Sequence, residues 1–248
     1  MFKPLYEELE KWSDAGKSAD FWWRDDDVQK ASEQLDKLLE ISDRHQAAIS
    51  LAAIPDGIAV SLAEKLIAHR GVSILQHGFS HRNYAPASER KMELGWHRPD
   101  EQIMTQIRSG KTCLQALFGK QFVPVMVPPW NRIDRRVVER LPEQGLHGLS
   151  TLGPRNSCPV SGLKQINVHL DIIDWKNGRR FAGEEACLEQ LIAHLSAKRE
   201  GRADPGEPTG IMSHHLVHDA GCWKFLDDLF GFLAAQPTAR VLAGHSIF

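Results

Sequence analysis

Short apolar runs alternate with segments of helical period along this chain, and that alternation restricts its fold more than any other feature. "ADFWWRDDDV" (19–28) reads as a strand, and "SEQLDKLLEISDRH" (32–45) as a helix with Leu35, Leu38 and Leu39 on one face. "AAISLAAIP" is a second strand, followed by the helix "VSLAEKLIAHR" and the strand "GVSILQH" (71–77). A polar stretch over 82–98 precedes a helix at "EQIMTQIRSGKTCLQALFG". Further strands are expected at "FVPVMVPP", "LHGLSTL", "QINVHLDIID" and "TGIMSHH", with helices at "EEACLEQLIAHLSAKR" and "KFLDDLFGFLAA". Strands in alternation with helices imply an α/β fold with a parallel sheet, doubly wound or closed as a barrel. "REGRADPGEPTG" (199–210) reads as a loop because the rhythm resumes after it, so residues 1–248 are expected to form a single domain.

The 42% hydrophobic and 25% charged content is that of a globular chain with a full core. A net charge of −2 argues against a nucleic-acid partner, and Arg132, Arg135, Arg136 and Arg140 are spaced like a solvated helix surface. No apolar run reaches membrane-spanning length. "MFKPLYEELEKWSDAGKSAD" has acidic residues where a signal peptide needs apolar ones; it reads as a short amphipathic helix, and a cytoplasmic location is expected. Cys113, Cys158, Cys187 and Cys222 stand far apart with no CxxC pair, so reduced thiols are expected and any metal falls to histidine and carboxylates.

The phosphate fingerprints GxGxxG and GxxxxGK[ST] are missing. Polar clusters stand instead at the ends of the expected strands: Asp25-Asp26-Asp27, then His77 and His81, Pro128-Pro129-Trp130, Asp171 with Asp174-Trp175, and His214-His215. In a parallel barrel such ends share one face, where active sites are built. Each cluster also has a plain reading. HxxxH can be a polar loop, tandem carboxylates can serve a helix N-terminus, and Trp22, Trp23 and Trp130 can be core aromatics. His215 and His218 read as structural, and His169 and His194 as ordinary histidines.

Taken in order, "RDDDV", "HGFSH", "VPPWNR", "DIIDW" and "IMSHH" span residues 24–215 and resemble the five motifs of the polysaccharide deacetylase family, the NodB-homology proteins of carbohydrate esterase family four. The resemblance implies a distorted (β/α) barrel of about seven parallel strands. It also implies one divalent ion, usually zinc, held by Asp27, His77 and His81, with cobalt, nickel or manganese as alternatives. Asp26 would be the general base toward the water held there, and a backbone N–H near Trp130 would help hold the oxyanion. His214 would protonate the leaving amine, oriented by Asp171 or Asp174. Pro129, Trp130, Trp175, Arg24 and Arg132 would contact substrate.

Three departures from the family pattern stand out. The third motif's arginine is Val127, for which Arg24 or Arg132 is a candidate substitute; the first motif has three aspartates; and the glycine after the pair is Val28. Aligning Val28 to that glycine makes Asp26 the base and Asp27 the ligand; the other register moves both roles back by one. The expected function is metal-dependent removal of N-acetyl groups from an amino sugar or glycan. The alternatives are another C–N bond in a small amide, such as a formamide or cyclic amide, and a carbohydrate-binding protein that has lost catalysis. The oligomeric state is left open.

Overall fold

The computed structural model describes residues 2–155 and 159–248. Cys158 lies outside the described residues, and Cys113, Cys187 and Cys222 are free thiols. Helix α1 (Lys3–Asp14) leads into β1 (Ala19–Val28), the longest strand and the one at the heart of the sheet. Next come α2 (Glu33–His45), β2 (Ile49–Ala53), α3 (Val60–Leu66), β3 (Val72–His77), α4 (Asp100–Phe118), β4 (Phe122–Val127), α5 (Arg135–Arg140) and β5 (Gly148–Leu149). The second half holds β6 (Lys164–Gln165), β7 (Leu170–Asp171), β8 (Ile173–Asp174), β9 (Arg180–Phe181), α6 (Glu184–Arg199), β10 (Thr209–Ser213), α7 (Ala220–Ala234), β11 (Ala239–Leu242) and α8 (Gly244–Ile247).

The sheet order is β6-β5-β4-β3-β2-β1-β10-β7, with β11 on the first half of β1, and every pairing is parallel. One extended stretch brings the two ends of this order together. Its first part bonds to the β5 side (Ile166 N–H to Leu149 O, Val168 N–H to Thr151 O), and its second to β10 (His169 N–H to Gly210 O, Ile172 N–H to Met212 O). The expected single strand "QINVHLDIID" is therefore interrupted: Leu170 and Asp171 stay in the barrel sheet, while Ile173 and Asp174 turn away into an antiparallel pair with Phe181 and Arg180.

Strand alternation sorts the side chains. Trp22, Ala52, Leu75, Val125, Val127, Ile166, Val168 and Met212 form one buried cluster, drawn from one face of each strand, that fills the barrel interior. Phe21, Trp23, Ile49, Leu51, Ile74, Met126 and Ile211 face the other way and join the helices in a larger core. The C-terminal segment closes the interior below: Ile247 and Phe248 pack on it, with the Phe248 ring edge-on to Trp22 at 5.8 Å. The interior is packed so tightly that a Cβ on Gly210 would come within 2.6 Å of the Asn167 carbonyl and the Val168 Cα. With its lower end filled, the barrel presents polar groups at the strands' C-terminal rim.

Candidate metal and hydrolytic site

At the end of β1, alternation assigns the first two aspartates. Arg24 and Asp26 point inward, both with side chains at most 2% exposed. The guanidinium grips the carboxylate at both oxygens, Nε to Oδ1 at 2.8 Å and Nη2 to Oδ2 at 3.0 Å. Its remaining donors reach Ser150 Oγ and Asn131 Oδ1, each at 2.8 Å. The position of the missing motif arginine thus has a counterpart on Asp26's own strand, two residues upstream. Arg132 does not reach Asp26; its Nη1 donates to the Lys91 carbonyl at 2.9 Å. Asp25 points outward and is fully buried, accepting from Ser213 Oγ at 2.6 Å and from His215 N–H at 3.0 Å, with His215 Nδ1 2.5 Å from its other oxygen. Burial opposes the charge on both partners, yet mutual attraction lowers the Asp25 pKa and raises that of His215. That pair ties β1 to the end of β10.

Asp27 breaks the alternation. A register shift falls between Asp25 and Val28, and Asp27 sits at φ 74°, in the left-handed region. Its Oδ1 turns to His77 Nε2 at 3.0 Å and His81 Nε2 at 3.3 Å. The loop carrying His81 is held from beneath by Glu93, a fully buried residue of the polar stretch. Glu93 Oε1 accepts from Ser80 N–H at 2.7 Å and from its hydroxyl at 3.0 Å, and Oε2 from Phe79 N–H at 3.2 Å. Gly78, at φ 55°, passes so close to the Glu93 carboxylate and the Pro129 ring that a side chain there has no room. Sequence reading missed Glu93; its one signal is a carboxylate between Met92 and Leu94 in an otherwise exposed stretch.

These three residues fit a divalent ion, as their hydrogen bonds show. His77 Nδ1 faces the Val127 carbonyl at 2.9 Å; a carbonyl only accepts, so this nitrogen carries the proton and Nε2 keeps its lone pair for the centre. Asp27 Oδ1 is buried without a hydrogen-bond partner among the described residues. Burial drives the Asp27 pKa up, but the close approach of His77 and the charges of His77, His214 and His81 hold it well below the usual carboxylate range. For His77 burial works downward, and Asp27 and Asp26 raise the pKa overall; burial and the His77 charge lower that of His81.

His214 stands across the rim, its Nε2 3.9 Å from Asp26 Oδ2 and its Nδ1 buried without a partner. The Trp175 ring meets it edge-on at 4.7 Å and donates Nε1–H to Asp171 Oδ2 at 2.7 Å. Burial raises the Asp171 pKa, against the opposing pull of His214 and the Ile173 and Trp175 bonds. Asp171 therefore lies within electrostatic reach of His214. Asp174 is spent elsewhere: its oxygens accept from Lys176 N–H, Asn177 N–H and Asn177 Nδ2 in the turn that follows, so it does not orient His214. Trp130, at φ 57°, lays its ring 4.6 Å from that of His81, and the following N–H groups of Asn131 and Arg132 are taken by the Pro128 and Pro129 carbonyls.

A second histidine–carboxylate cluster, His169, His194 and Glu207, lies at the opposite end of the strands, beside a cavity of about 940 Å³. Its donor chemistry is wrong for an ion. His169 Nδ1 accepts the Gly210 N–H at 3.0 Å, which puts the proton of the neutral ring on Nε2, the atom facing Glu207 at 3.7 Å.

The sequence model of the family described as polysaccharide deacetylase matches residues 25–149, half of the chain. Among solved structures, a Mycobacterium smegmatis protein described as a polysaccharide deacetylase is similar over 94% of this chain and 89% of its own, with a TM-score of 0.68 at 17% identity. The Bc1960 peptidoglycan N-acetylglucosamine deacetylase is similar over 93% and 88%, with a TM-score of 0.59 at 18% identity. A CE4-family pseudoenzyme from Bacillus anthracis is similar over 90% of this chain and 63% of its own, at 0.56 and 18%. None of the curated proteins matches. With ordered motifs on one rim of the barrel and the family match running across the first three of them, the chain belongs to the polysaccharide deacetylase family.

Proposed function

We propose that this protein is a metal-dependent hydrolase that removes an N-acetyl group from an amino sugar or short glycan. The observation that carries the reading is the division of labour at the rim: a three-donor cluster without competing partners on one side, and a buried carboxylate and a histidine facing each other beside it. Asp27, His77 and His81 would hold the ion, with zinc the first candidate. A divalent ion bound there polarises the amide carbonyl and makes water a stronger nucleophile. Asp26 takes the proton from the attacking water, and Arg24 fixes the orientation of both its oxygens. His214 supplies the proton without which the amine cannot leave, with Asp171 within electrostatic reach of it. Trp175 and Trp130 flank the centre as flat apolar walls suited to a sugar ring.

The same residues would serve hydrolysis of a formamide or a cyclic amide, so the assay compares these with N-acetyl sugars. Relatives include a pseudoenzyme, and Val127 in place of the motif arginine favoured a lapsed binding protein; Arg24 at Asp26 weakens that case. The test is metal analysis of purified protein together with amine release from acetylated sugars. Wild type is expected to hold one ion per chain and turn over. His77→Ala is expected to lose both while keeping its melting transition. Full metal content in His77→Ala, or no release from any acetylated or formylated substrate by metal-loaded wild type, overturns the reading.

A further inference from the structure

Beside the candidate centre, the polar loop 82–98 is zipped onto the segment after Trp130. Leu94 bridges Ile133, Asp134 N–H donates to Leu94 O, and Arg132 Nη1 holds the Lys91 carbonyl. Between them opens a cleft of about 690 Å³, lined in part by Arg90, Arg132, Asn131 and Thr151. It adjoins the reaction centre through Asn131, whose side-chain oxygen holds the same Arg24 that grips Asp26. The cleft's charge is one-sided. Its lining carboxylate, Glu89, is engaged by His97 at 2.9 Å. Arg90 makes no hydrogen bond or ion pair among the described residues, and Arg132 binds only a backbone carbonyl. Lys91 has the Trp130 ring as its partner, at 5.9 Å from the centroid. Burial and the nearby Arg90 charge lower the Arg132 pKa.

We propose that this cleft is an anion subsite that receives a phosphate group carried by the acetylated substrate, a reading that rests on the hydrolytic one above. Two guanidiniums without carboxylate partners among the described residues, Arg90 and Arg132, face one opening, and Lys91 stands nearby over the Trp130 ring. A carboxylate would neutralise one of them, whereas a phosphate ester carries a charge of about −1.5 to −2 at pH 7 and offers three acceptor oxygens. Planar guanidiniums bind such oxygens in pairs, and a neighbouring lysine adds a point charge. The position one step beyond Trp130 places the phosphate next to the sugar ring that presents its acetamide to Asp26 and His214. Phosphate monoesters and diphosphate-linked sugars share this chemistry.

The test is titration calorimetry of metal-loaded protein with N-acetylglucosamine, its 1-phosphate, its 6-phosphate and a nucleoside-diphosphate N-acetylglucosamine, at low and at 0.5 M salt. Phosphorylated forms are expected to bind about 10-fold or more tightly than the neutral sugar at low salt, with the advantage shrinking in high salt. Arg90→Gln, a change in an exposed loop side chain, should cut that ratio several-fold, and the Arg90→Gln/Arg132→Gln pair should bring it close to one. Preference for the monoesters assigns the phosphate to the sugar itself; preference for the diphosphate form alone assigns it to a carrier, and either supports the subsite. Equal binding of neutral and phosphorylated sugars, no phosphate-dependent binding at millimolar concentration, or a ratio unchanged in the double variant overturns it. Because binding is read without turnover, a phosphate preference with no amine release sinks only the hydrolase reading. Release from the neutral sugar with no phosphate preference sinks only the subsite.

Discussion

Replacing Arg24 by methionine tests whether the barrel interior depends on its one arginine–aspartate pair. The arginine side chain is 0% exposed and Asp26 is 2% exposed, so neither charge has water to fall back on. Arg24 supplies both hydrogen bonds to Asp26, and its loss also strips Ser150 Oγ and Asn131 Oδ1 of their donor. Methionine has similar reach and suits the space beside Met212, so the change is mainly electrostatic. Removing one partner of a buried pair typically costs about 3–5 kcal/mol, because the surviving charge stays desolvated. At about 2–4 °C per kcal/mol for a chain of this size, the melting temperature should fall by roughly 6–20 °C. Removing both partners, as Arg24→Met/Asp26→Leu, should recover much of the loss, since an apolar pair of like volume needs no counter-charge. Urea unfolding of wild type, both single variants and the double variant gives the coupling from the midpoints, provided the slopes agree. A loss below about 1 kcal/mol for Arg24→Met, with additive single effects, would show that the pair behaves like an exposed ion pair. The claim that Arg24 stands in for the missing motif arginine would then fail.

Two further outcomes follow from packing and burial. Gly78→Ala puts a methyl group into Glu93 Oε2 and 2.7 Å from Pro129 Cδ at a residue with φ 55°, so it should cost about 1–3 kcal/mol and loosen the loop that carries His81. Metal affinity, read by competition with a chromophoric chelator, should drop about 10-fold or more; unchanged affinity would mean that the Glu93 clamp does not set the ligand geometry. Lys198 is buried, and burial lowers its pKa to about 8 against the pull of Asp20, Glu207 and Asp204. An unfolded lysine titrates near ~10.4, so between these values the unfolded chain binds more protons and stability rises with pH. Lys198→Met should therefore exceed wild type in urea midpoint at pH 7, with the gap closing by about pH 10; a methionine variant less stable at pH 7 refutes this.

Where the sequence spoke, it spoke through period and punctuation. "ADFWWRDDDV" is a strand over its full expected length because bulky residues on both faces meet a core, one inside the barrel and one under the helices. "QINVHLDIID" misled because an apolar alternation cannot show that its end leaves one sheet for another; the turn after Asp174 decides that. β11 and α8 gave no readable signal, being four residues each and half exposed. In the site, strand alternation sets Asp25 apart from Asp26. The arginine and Asp26, two apart on one strand, share a face, so the inward pair is Arg24–Asp26 and Asp25 is left to His215.

The two histidine–carboxylate clusters show what composition cannot reveal. Each contains two imidazoles and one carboxylate, and each has a buried side-chain atom without a partner, Asp27 Oδ1 in one and His169 Nε2 in the other. A backbone group at one ring separates them. The carbonyl of Val127 takes the proton of His77 Nδ1 and leaves the far nitrogen free to donate electrons; the N–H of Gly210 occupies His169 Nδ1 and forces the proton onto the far nitrogen. That choice is made by strand register, through β3 against β4 in one case and β7 against β10 in the other. The same register leaves the Val127 side chain without a polar task. At that position the main-chain oxygen does the work for the ligand, and the side chain is free to fill the barrel while Arg24 serves Asp26 from the neighbouring interior face.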